Sequence, residues 1–335
     1  MSGRFRVGII GTGAISQIVH LPTLTQMRGV EVAAVSDSDQ AKARTLAKRF
    51  GVPEIHATDD GLLADADLDA VVVASPSHLH EEHAIEAVRA GKHVLVEKPL
   101  SLSAEGAARV IEEAGRADRV VMVALNNRYR PDARALRPFL RGGELGDVFH
   151  VRVGSLNRKV RTARPTWRHD PEAAGGGALM DLGVQTLDLG LWLLGHPRVE
   201  RATALAHRSP GMEVEDGASA LFLGEGGVSI ALDVTWSLFE PNDRQYVEAL
   251  GTAGSASLNP LGVFKEVEHG VLDVTPAVPP GRANLYTSSY RHMLADFVQT
   301  ANGEREYEPP HDQVELMALI ELAYDSIREG AEQTR

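Results

Sequence analysis

The segment HVLVEKPLS places a lysine at the end of an apolar run, where an amine can hold or move a proton. Lys98 follows a predicted buried strand, and Pro99 favours an extended backbone at the residue before it. Ligands of open α/β sheets bind at the carboxyl ends of strands, so Lys98 is a candidate for proton transfer. We expect Glu97 beside it to support its charge. The alternative is a surface lysine at a strand end.

A second set of polar residues lies in the apolar segment GGGALMDLGVQTLDLGLWLLG. On a helix, Asp181, Gln185 and Asp188 fall at positions i, i+4 and i+7 and form one polar stripe. Unpaired buried carboxylates are costly, so this stripe must face partners, water or a cavity. We expect it to form the wall of a substrate cleft; the alternative is a solvated face of an amphipathic helix.

Glycines near the N-terminus have the spacing of a phosphate-binding turn. In VGIIGTGAIS, Gly11 permits a tight turn, Gly13 lets backbone N–H groups approach a pyrophosphate, and Ser16 replaces the usual third glycine or alanine. Asp37 ends the next predicted strand, where an acidic side chain receives the adenosine ribose hydroxyls. The alternatives are an ordinary glycine turn and, for Asp37, an N-cap of the helix that begins near Gln40.

These residues predict a dinucleotide cofactor, and Asp37 indicates which one. Its carboxylate repels a 2′-phosphate, and no arginine stands beside it in the sequence to receive one. We therefore predict NAD, with NADP as the less favoured cofactor.

Basic and aromatic residues crowd two segments, 128–130 and 161–168, that we expect to border the substrate cleft. They are Arg128, Arg130, Arg161, Arg164, Trp167 and Arg168. Guanidinium groups recognise carboxylates and phosphates, so this set predicts contacts with a substrate; solvated loop arginines are the alternative. The histidines lack metal-ligand spacing, and His78-x-His80 has no third partner in the sequence, so we predict no metal site.

The elements that must position these residues follow two patterns. Between residues 5 and 124, short apolar β-rich runs alternate with helical patterns, which predicts βαβ units and a parallel sheet covered by helices on both faces. Residues 1–125 are thus predicted to form an α/β, doubly wound Rossmann domain.

The rest of the chain, residues 126–335, has a different pattern. The predicted elements are a helix at 131–141, a strand at 147–156, a helix at 178–194, strands at 199–207, 218–223, 228–236 and 245–250, and helices at 285–302 and 312–329. Glycine-rich turns without crossover helices predict a mostly antiparallel sheet, and hence an α+β domain. Which domain the last helix covers is left open.

Composition excludes several classes of function. The formal net charge of −12 disfavours nucleic acid or an anionic membrane as a partner. The absence of cysteine excludes disulfides and thiolate sites, and no segment reaches the roughly 18 apolar residues of a membrane span. We predict a cytoplasmic protein.

Several motifs, taken in order, resemble those of one family. They are Glu97-Lys98-Pro99, Ser75-Pro76-x-x-x-His80, Ala174-Gly-Gly-Gly177 followed by Asp181, and the final SIREG. In this arrangement the chain resembles the Gfo/Idh/MocA oxidoreductases, named after glucose-fructose oxidoreductase and inositol dehydrogenase. The resemblance implies a Rossmann domain, an α+β domain whose open sheet forms a dimer or tetramer interface, and sugars, cyclitols or related polyols as substrates.

The resemblance also implies roles for particular residues, with Lys98 as the catalytic lysine near the nicotinamide and Asp181 as a carboxylate on the substrate side. The predicted catalytic residues are Lys98, Asp181 and Gln185. The predicted substrate-binding residues are Lys98, Arg128, Trp167, Arg168, Asp181 and Gln185. The predicted cofactor-binding residues are Gly11, Gly13, Ala14, Ile15, Asp37, Ser75, Pro76, His80, Glu97 and Lys98.

Gln185 departs from the family, which has histidine or, in some branches, tyrosine four residues after the aspartate. An amide neither takes nor gives a proton near neutral pH, so Gln185 is assigned hydrogen bonding. The histidines that can substitute are His20, His78, His80 and His169. We predict reversible hydride transfer between NAD and a carbinol carbon. A non-catalytic NAD- or sugar-binding protein, and NAD-assisted elimination or glycoside cleavage, stay open.

Overall fold

The computed structural model describes residues 4–159, 166–278 and 284–335, so Arg161 and Arg164 lie outside the described residues. By its contacts the chain divides into two compact units. The first comprises Met1–Asn126 and Tyr286–Val314, and the second comprises Asn127–Leu285 and Glu315–Arg335.

The first unit is built on a parallel sheet of six strands. They are β1 (Phe5–Ile10), β2 (Val30–Ser36), β3 (Glu54–His56), β4 (Ala70–Val73), β5 (His93–Val96) and β6 (Val121–Val123). Their order is β3-β2-β1-β4-β5-β6, which is the doubly wound order of a Rossmann domain. Strand β4, whose residues are all buried, has the continuous apolar sequence expected of a strand covered on both faces.

Helices connect these strands. A π-turn at Ser16–His20 continues into α1 (Leu21–Leu24), and α2 (Gln40–Phe50), α3 (Asp59–Leu63), α4 (His80–Arg89) and α5 (Ala104–Ala117) follow. Side-chain caps start three of them: Asp39 caps α2, Thr58 caps α3 and Ser103 caps α5, each accepting a backbone N–H of the first turn.

The second unit combines helices with a larger sheet. Its first elements are α6 (Pro131–Arg141), β7 (Val148–Arg158), α7 (Pro171–Ala174), a π-turn at Leu179–Gly183 and α8 (Val184–Leu194). The strands that follow are β8 (Val199–His207), β9 (Gly217–Gly224), β10 (Ser229–Leu238), β11 (Arg244–Gly251), β12 (Gly254–Leu258), β13 (Gly262–Val267) and β14 (Gly270–Asp273). The chain ends with α9 (Leu285–Ala301), α10 (Asp312–Glu329) and β15 (Gln333–Thr334).

The nine strands of this sheet are in the order β14-β13-β12-β11-β7-β10-β9-β8-β15. Among the described strands of this second sheet, only β7 and β10 pair in parallel, so the predicted mostly antiparallel sheet is confirmed. Helix α8 packs against one face. An added Cβ at Gly190 of α8 would lie 3.1 Å from Val153 Cγ1, so glycine permits this close approach.

Residues 286–314 return to the first unit. Asn126 Nδ2 donates to Ser289 Oγ at 2.9 Å, and Tyr307 OH accepts from Val121 N at 3.1 Å. The predicted division at residue 125 placed this segment with the second domain, whereas its contacts are with the first unit.

The boundary of the units falls after Val314, inside α10. The later part of α10 belongs to the second unit, where Ser326 Oγ accepts from Ala204 N at 2.9 Å. Among the helices of residues 4–159, 166–278 and 284–335, none combines the length and the apolar composition that crossing a membrane requires.

Candidate active site

The turn after β1 needs one of its glycines for folding and leaves the other free for binding. Gly11 has φ +91°, and a Cβ on it would lie 2.5 Å from Ala74 O. A Cβ on Gly13 would meet no atom within 4 Å. Gly13 therefore leaves open space beside the turn, as expected of a turn that admits a pyrophosphate. Ala14 and Ile15 continue this turn, with Ala14 exposed and Ile15 half-buried.

Ser16 takes the structural place of the third glycine. It is fully buried, and its Oγ donates to Gly11 O at 2.6 Å. Gln17 Nε2 donates to Thr12 O at 3.1 Å from the following residue. These side chains fasten the glycine turn to the helix that follows it, so the departure from the usual motif preserves the turn.

Asp37 lies immediately after β2 and is held by donors from three directions. Its Oδ2 accepts from Thr12 N and Thr12 Oγ1, both at 2.7 Å, and its Oδ1 accepts from Asp39 N at 2.8 Å. Burial disfavours its ionisation, but hydrogen bonds from Lys42, Thr12 and Asp39 outweigh burial and hold the pKa of the carboxyl below its ordinary value. Asp39, rather than Asp37, is the N-cap of α2.

Lys42 is a cation beside Asp37 that the sequence analysis missed. Its Nζ lies 2.9 Å from Asp37 Oδ2, and its side chain is 36% exposed against 7% for that of Asp37. The sequence reasoning looked only for an arginine next to the aspartate. The available signal was a lysine in the first turn of the following helix, five residues on.

The predicted residues after β4 belong to a buried hydrogen-bond network. His80 is buried between two carbonyls, with Nδ1 2.7 Å from Pro99 O and Nε2 2.9 Å from Ser75 O. Burial lowers the pKa of His80, against the opposite effect of these carbonyls. His80 thus joins the segment that contains Ser75 and Pro76 to the one that follows Lys98.

Two further residues of this network were missed from the sequence. Ser75 Oγ lies 3.0 Å from His83 Nδ1, and His83 Nε2 lies 3.3 Å from Asp59 Oδ2. These residues fix the rotamer of Ser75 through side chains on α4 and α3. Nothing local in the sequence distinguishes His83 from the other polar residues of α4.

Lys98 is half-buried directly after β5, at the carboxyl end of the parallel sheet. Glu97 beside it is buried, and its Oε1 lies 2.8 Å from His20 Nε2. His20 is fully buried and meets the ring of Tyr290 edge-on at 6.0 Å between centroids. The first unit therefore brings Lys98 together with a buried carboxylate–imidazole pair, and His20 itself has no exposed surface to offer a substrate.

In the second unit, Asp181 lies in the π-turn before α8 and is half-buried. Its Oδ2 accepts from Trp236 Nε1 at 3.2 Å, and Arg168 Nε lies 3.7 Å from its Oδ1. The Arg168 guanidinium stacks on Trp167 at 4.4 Å from the ring centroid. Trp167, Arg168 and Asp181, all predicted substrate residues, thus lie together, and Trp236 is an addition from a strand far along the chain.

His169 is the candidate histidine that lies in this cluster. Its ring centroid is 5.8 Å from that of Trp236, and its Nδ1 accepts from Thr166 N at 3.1 Å. When neutral, the ring must then carry its proton on Nε2, which makes it a donor at that atom. His78, by contrast, is exposed on the first unit.

The other polar residues predicted in the second unit are half-buried or buried, and two of them are held in ion pairs. Gln185, one turn after Asp181, is half-buried. Asp188 is buried and forms a two-pronged ion pair with Arg128, through Nε at 2.8 Å and through Nη2. Arg130 is buried and pairs with Asp132 at 2.7 Å. Asp188, one of the three residues of the predicted polar stripe, therefore has Arg128 as its partner.

Glu215 supports the start of the helix that carries Asp181. Its buried Oε1 accepts from Gly177 N at 2.9 Å, Leu179 N at 3.0 Å and Tyr324 OH at 2.9 Å. A carboxylate near a helix N-terminus is favoured by the helix dipole. Its position in the loop before β9 gave no sequence signal for this role.

One group of possible metal ligands occurs in the described residues. Glu54, His56 and Asp65 each bring an atom to within 4.8 Å of the others. Two cations lie beside it: Arg6 is 3.9 Å from Glu54, and Lys92 Nζ donates to Asp65 O at 2.5 Å. Neighbouring cations disfavour a further one, so we assign no ion here, and the predicted lack of a metal stays a prediction.

Comparison with known families identifies the chain. Residues 5–125 match the oxidoreductase family with an NAD-binding Rossmann fold, and residues 133–257 match the GFO/IDH/MocA C-terminal domain. The chain belongs to the Gfo/Idh/MocA oxidoreductase family. The predicted resemblance, oxidoreductase class and NAD cofactor are thereby confirmed.

Full-length relatives agree with this assignment. Inositol 2-dehydrogenase 2 of Saccharopolyspora erythraea is 31% identical over 97% of this chain and 94% of its own. D-xylose 1-dehydrogenase (NADP(+)) 2 of Haloferax volcanii is 30% identical over 97% of this chain and 98% of its own. The structure of GenD2 from gentamicin A biosynthesis, in complex with NAD, has a TM-score of 0.88 at 29% identity and covers 100% of this chain and 97% of that one.

Proposed function

We propose that the chain is an NAD-dependent dehydrogenase that interconverts a carbinol and a carbonyl carbon of a sugar, cyclitol or related polyol. The observation that carries the proposal is Lys98, half-buried at the end of β5 in the unit whose glycine turn and Asp37 suit NAD. The names of the two dehydrogenases above, which concern inositol and D-xylose, support this substrate class.

Bound NAD would supply the acceptor for the hydride that leaves the carbinol carbon. The hydroxyl proton of the same carbinol goes to the neutral amine of Lys98, directly or through one water, and the ammonium returns it in the reverse direction. The buried Glu97–His20 pair ties the residue before Lys98 to the turn of helix at Ser16–His20, and so helps to position the segment that carries Lys98.

The substrate-binding roles fall to residues of the second unit. Asp181 accepts hydrogen bonds from substrate hydroxyls, while Trp236 and Arg168 hold its carboxylate in place. Gln185 offers one amide acceptor and two donors and moves no proton. Trp167 provides an apolar ring surface. Arg128 stays among the proposed substrate-binding residues, and in the structure its guanidinium is engaged with Asp188.

For the cofactor we propose NAD in preference to NADP. Asp37 Oδ1 accepts one backbone N–H and has a lone pair for a ribose hydroxyl, and the ionised carboxylate repels a 2′-phosphate. One relative, the D-xylose dehydrogenase, is named for NADP(+). The affinities of this chain for NAD and for NADP should therefore both be measured.

For assembly we propose that the open face of the large sheet binds a second copy of the chain, in a homodimer or homotetramer. Cross-strand neighbours on this face include Leu205, Ser219, Asp233, Gly154 and Tyr246, and Leu205 is 73% exposed. A cavity of about 490 Å³ lies over this row. The predicted cytoplasmic location, and the lack of nucleic-acid and membrane partners, stay predictions.

A panel of cyclitols, aldoses and glycosides, incubated with the purified chain and NAD, tests the proposed activity. Net NADH formation that depends on one substrate supports dehydrogenation. Cleaved or dehydrated product without net NADH would contradict net redox chemistry, and binding of both ligands without any product would contradict enzymatic function.

A further inference from the structure

Strand β10 is irregular where it approaches Asp181. Its pairing with β7 is regular up to Thr235 and resumes at Leu238. Between these points, Trp236 and Ser237 stand opposite a single residue of β7, which makes a β-bulge. Bulges turn a side chain out of its regular direction and are frequent beside active sites. This one lies at the residue whose indole N–H donates to Asp181 Oδ2 at 3.2 Å.

Asp216, in the loop before β9, holds the bulge. Its backbone oxygen accepts from Trp236 N and from Thr235 Oγ1, both at 2.8 Å. Its side-chain Oδ2 accepts from Ser237 Oγ at 2.5 Å. Asp216 thus binds the residue that carries the indole and the residue on each side of it.

The carboxylate of Asp216 is itself fixed. Asp216 is buried, its Oδ1 accepts from Ser209 N at 2.9 Å, and its Oδ2 accepts from Ser209 Oγ at 2.6 Å. Burial disfavours its ionisation, but hydrogen bonds from Ser209 and Ser237 outweigh burial and hold the pKa of the carboxyl below its ordinary value. A charged, immobile acceptor therefore lies behind the bulge.

The residue before Asp216 acts on the other side of Asp181. Glu215 Oε1 accepts from Gly177 N and Leu179 N, at the start of the helical turn that carries Asp181. A Cβ on Gly177 would lie 1.9 Å from Glu215 O, so this close approach requires glycine. Two consecutive residues therefore hold the backbone that carries Asp181 and the indole that binds its carboxylate.

We propose that Asp216 is a positioning residue of the substrate site, which holds the bulge that aims the Trp236 indole N–H at Asp181. The inference rests on the proposed function and adds to it a residue that touches neither substrate nor cofactor. With the indole in place, the Asp181 carboxylate keeps the orientation in which it accepts from substrate hydroxyls. Without the Asp216 carboxylate, Ser237 loses its acceptor, the bulge loosens and Asp181 loses its indole donor.

The variants that test this role remove one contact each. Asp216→Asn leaves one carbonyl oxygen where two carboxylate oxygens accepted. Ser237→Ala removes only the hydroxyl that donates to Asp216, and it decides the question if Asp216→Asn does not fold. Trp236→Phe removes the indole N–H. Ser326→Ala is the matched control, since it removes a buried hydroxyl of the same unit that accepts from Ala204 N.

Two measurements on the full chain separate positioning from general loss of stability. Steady-state kinetics on the substrate found with the panel give KM and kcat, beside the Kd for NAD⁺. Spectra that correlate ¹H with ¹⁵N show the indole N–H groups of the three tryptophans, and the resonance of Trp236 is the one absent from Trp236→Phe.

We expect Asp216→Asn and Ser237→Ala to shift the Trp236 indole resonance and to raise KM about fivefold or more. The kcat and the Kd for NAD⁺ should change less than about threefold, because binding at Asp181 is weakened and the proton transfer is not. In the Trp236→Phe background, Asp216→Asn should raise KM less than about twofold further, since its effect passes through the indole. Ser326→Ala should change neither KM nor the resonance.

Three results would overturn the inference. The first is an unaltered KM and indole resonance in folded Asp216→Asn, or in Ser237→Ala. The second is a rise in KM that is equally large with and without Trp236, and the third is the same rise in Ser326→Ala. Turnover of no substrate in the panel would contradict the proposed function instead, and the indole resonance would still decide whether Asp216 holds Trp236.

Discussion

At the scale of single residues, Asp37 is a carboxyl group whose ionisation the fold supports. Its hydrogen bonds hold its pKa below the ordinary value, so its stabilising contribution is present above the unfolded pKa of about 3.9 and is lost as the pH falls through the lower folded value.

We expect Asp37→Asn to lower the free energy of unfolding at pH 7 by roughly 1–3 kcal/mol, the worth of hydrogen bonds to a charged group. The difference from the unmodified chain should shrink below about pH 4 as Asp37 becomes protonated. Urea unfolding from pH 7 to pH 3.5 measures it. A difference that is constant across this range would show that the charge of Asp37 does not contribute.

Gln185 stands at the position where the family resemblance implies a histidine or a tyrosine. We expect Gln185→Ala to raise the KM for the substrate severalfold with little change in kcat, since an amide contributes binding and no proton. Steady-state kinetics on the substrate found with the panel measure both constants. Unaltered KM and kcat would remove Gln185 from the site.

The complementary variant at this position places an imidazole where the family has one. Gln185→His should give kcat a pH dependence with an added limb near about 6.5, the pKa of an unperturbed histidine. An unchanged pH profile would show that the position does not reach the reacting hydroxyl.

Sequence reasoning finds residues whose role follows from local position, and misses those whose partner is remote. Gly11 and Asp37 follow from their place at strand ends. The pair of His20 and Glu97 joins residues 77 apart, and Trp236 reaches Asp181 across 55 residues. Such contacts depend on how strands are ordered in space, which no local spacing encodes.

At the scale of elements, the two glycines of the turn after β1 have different roles, one in folding and the other in the proposed cofactor binding. Gly11→Ala would force a Cβ to 2.5 Å from Ala74 O at a positive φ, whereas Gly13→Ala meets open space. We expect Gly11→Ala to destabilise the fold by about 1–3 kcal/mol. Gly13→Ala should leave the melting temperature nearly unchanged and weaken NAD binding.

Thermal unfolding and NAD titration of both variants measure this difference. A Gly13→Ala chain that binds NAD normally would show that the space beside Gly13 is not used by the cofactor. Gly115→Ala, inside α5 with no atom near an added Cβ, is the control for a harmless glycine substitution.

Some of the helices and strands could be predicted from the sequence, and others could not. Apolar runs predicted five of the six strands of the first sheet. Strand β3 was not predicted, because its three residues are mostly exposed and form no apolar run. Strands β12 to β14 were not predicted either: they are short, and of the three only β14 is exposed throughout. The predicted helix at 178–194 begins as a π-turn at Leu179–Gly183. This turn could not be predicted, because one extra residue in a single turn hardly changes the apolar periodicity of the sequence.

At the scale of the whole molecule, the return of residues 286–314 to the first unit is the feature that the sequence could not predict. Composition does not change at residue 285, and Tyr307 pairs with Val121 across 186 residues. The charge and length of the chain limited the possible classes of protein. Which segments belong to which unit depends on tertiary contacts, which charge and length do not specify.

The proposed assembly makes a prediction at this scale. If the open sheet face binds a second copy, Leu205→Asp places a charge in an apolar contact and should convert oligomer to monomer. Val271→Asp is the control, since Val271 is equally exposed at 73% but lies on β14, outside that row. Light scattering after gel filtration measures the mass. An unchanged oligomer in Leu205→Asp would place the interface elsewhere.

The central claim is that Lys98 takes the substrate proton while NAD binds in the same unit. Its most direct test is the single-turnover rate of NADH formation in Lys98→Met, measured beside the Kd for NAD⁺. Methionine keeps much of the bulk of lysine and removes the amine. We predict a rate at least about 10²-fold lower with a Kd within about threefold of the unmodified chain. A Lys98→Met chain that forms NADH at a near-normal rate would contradict the account.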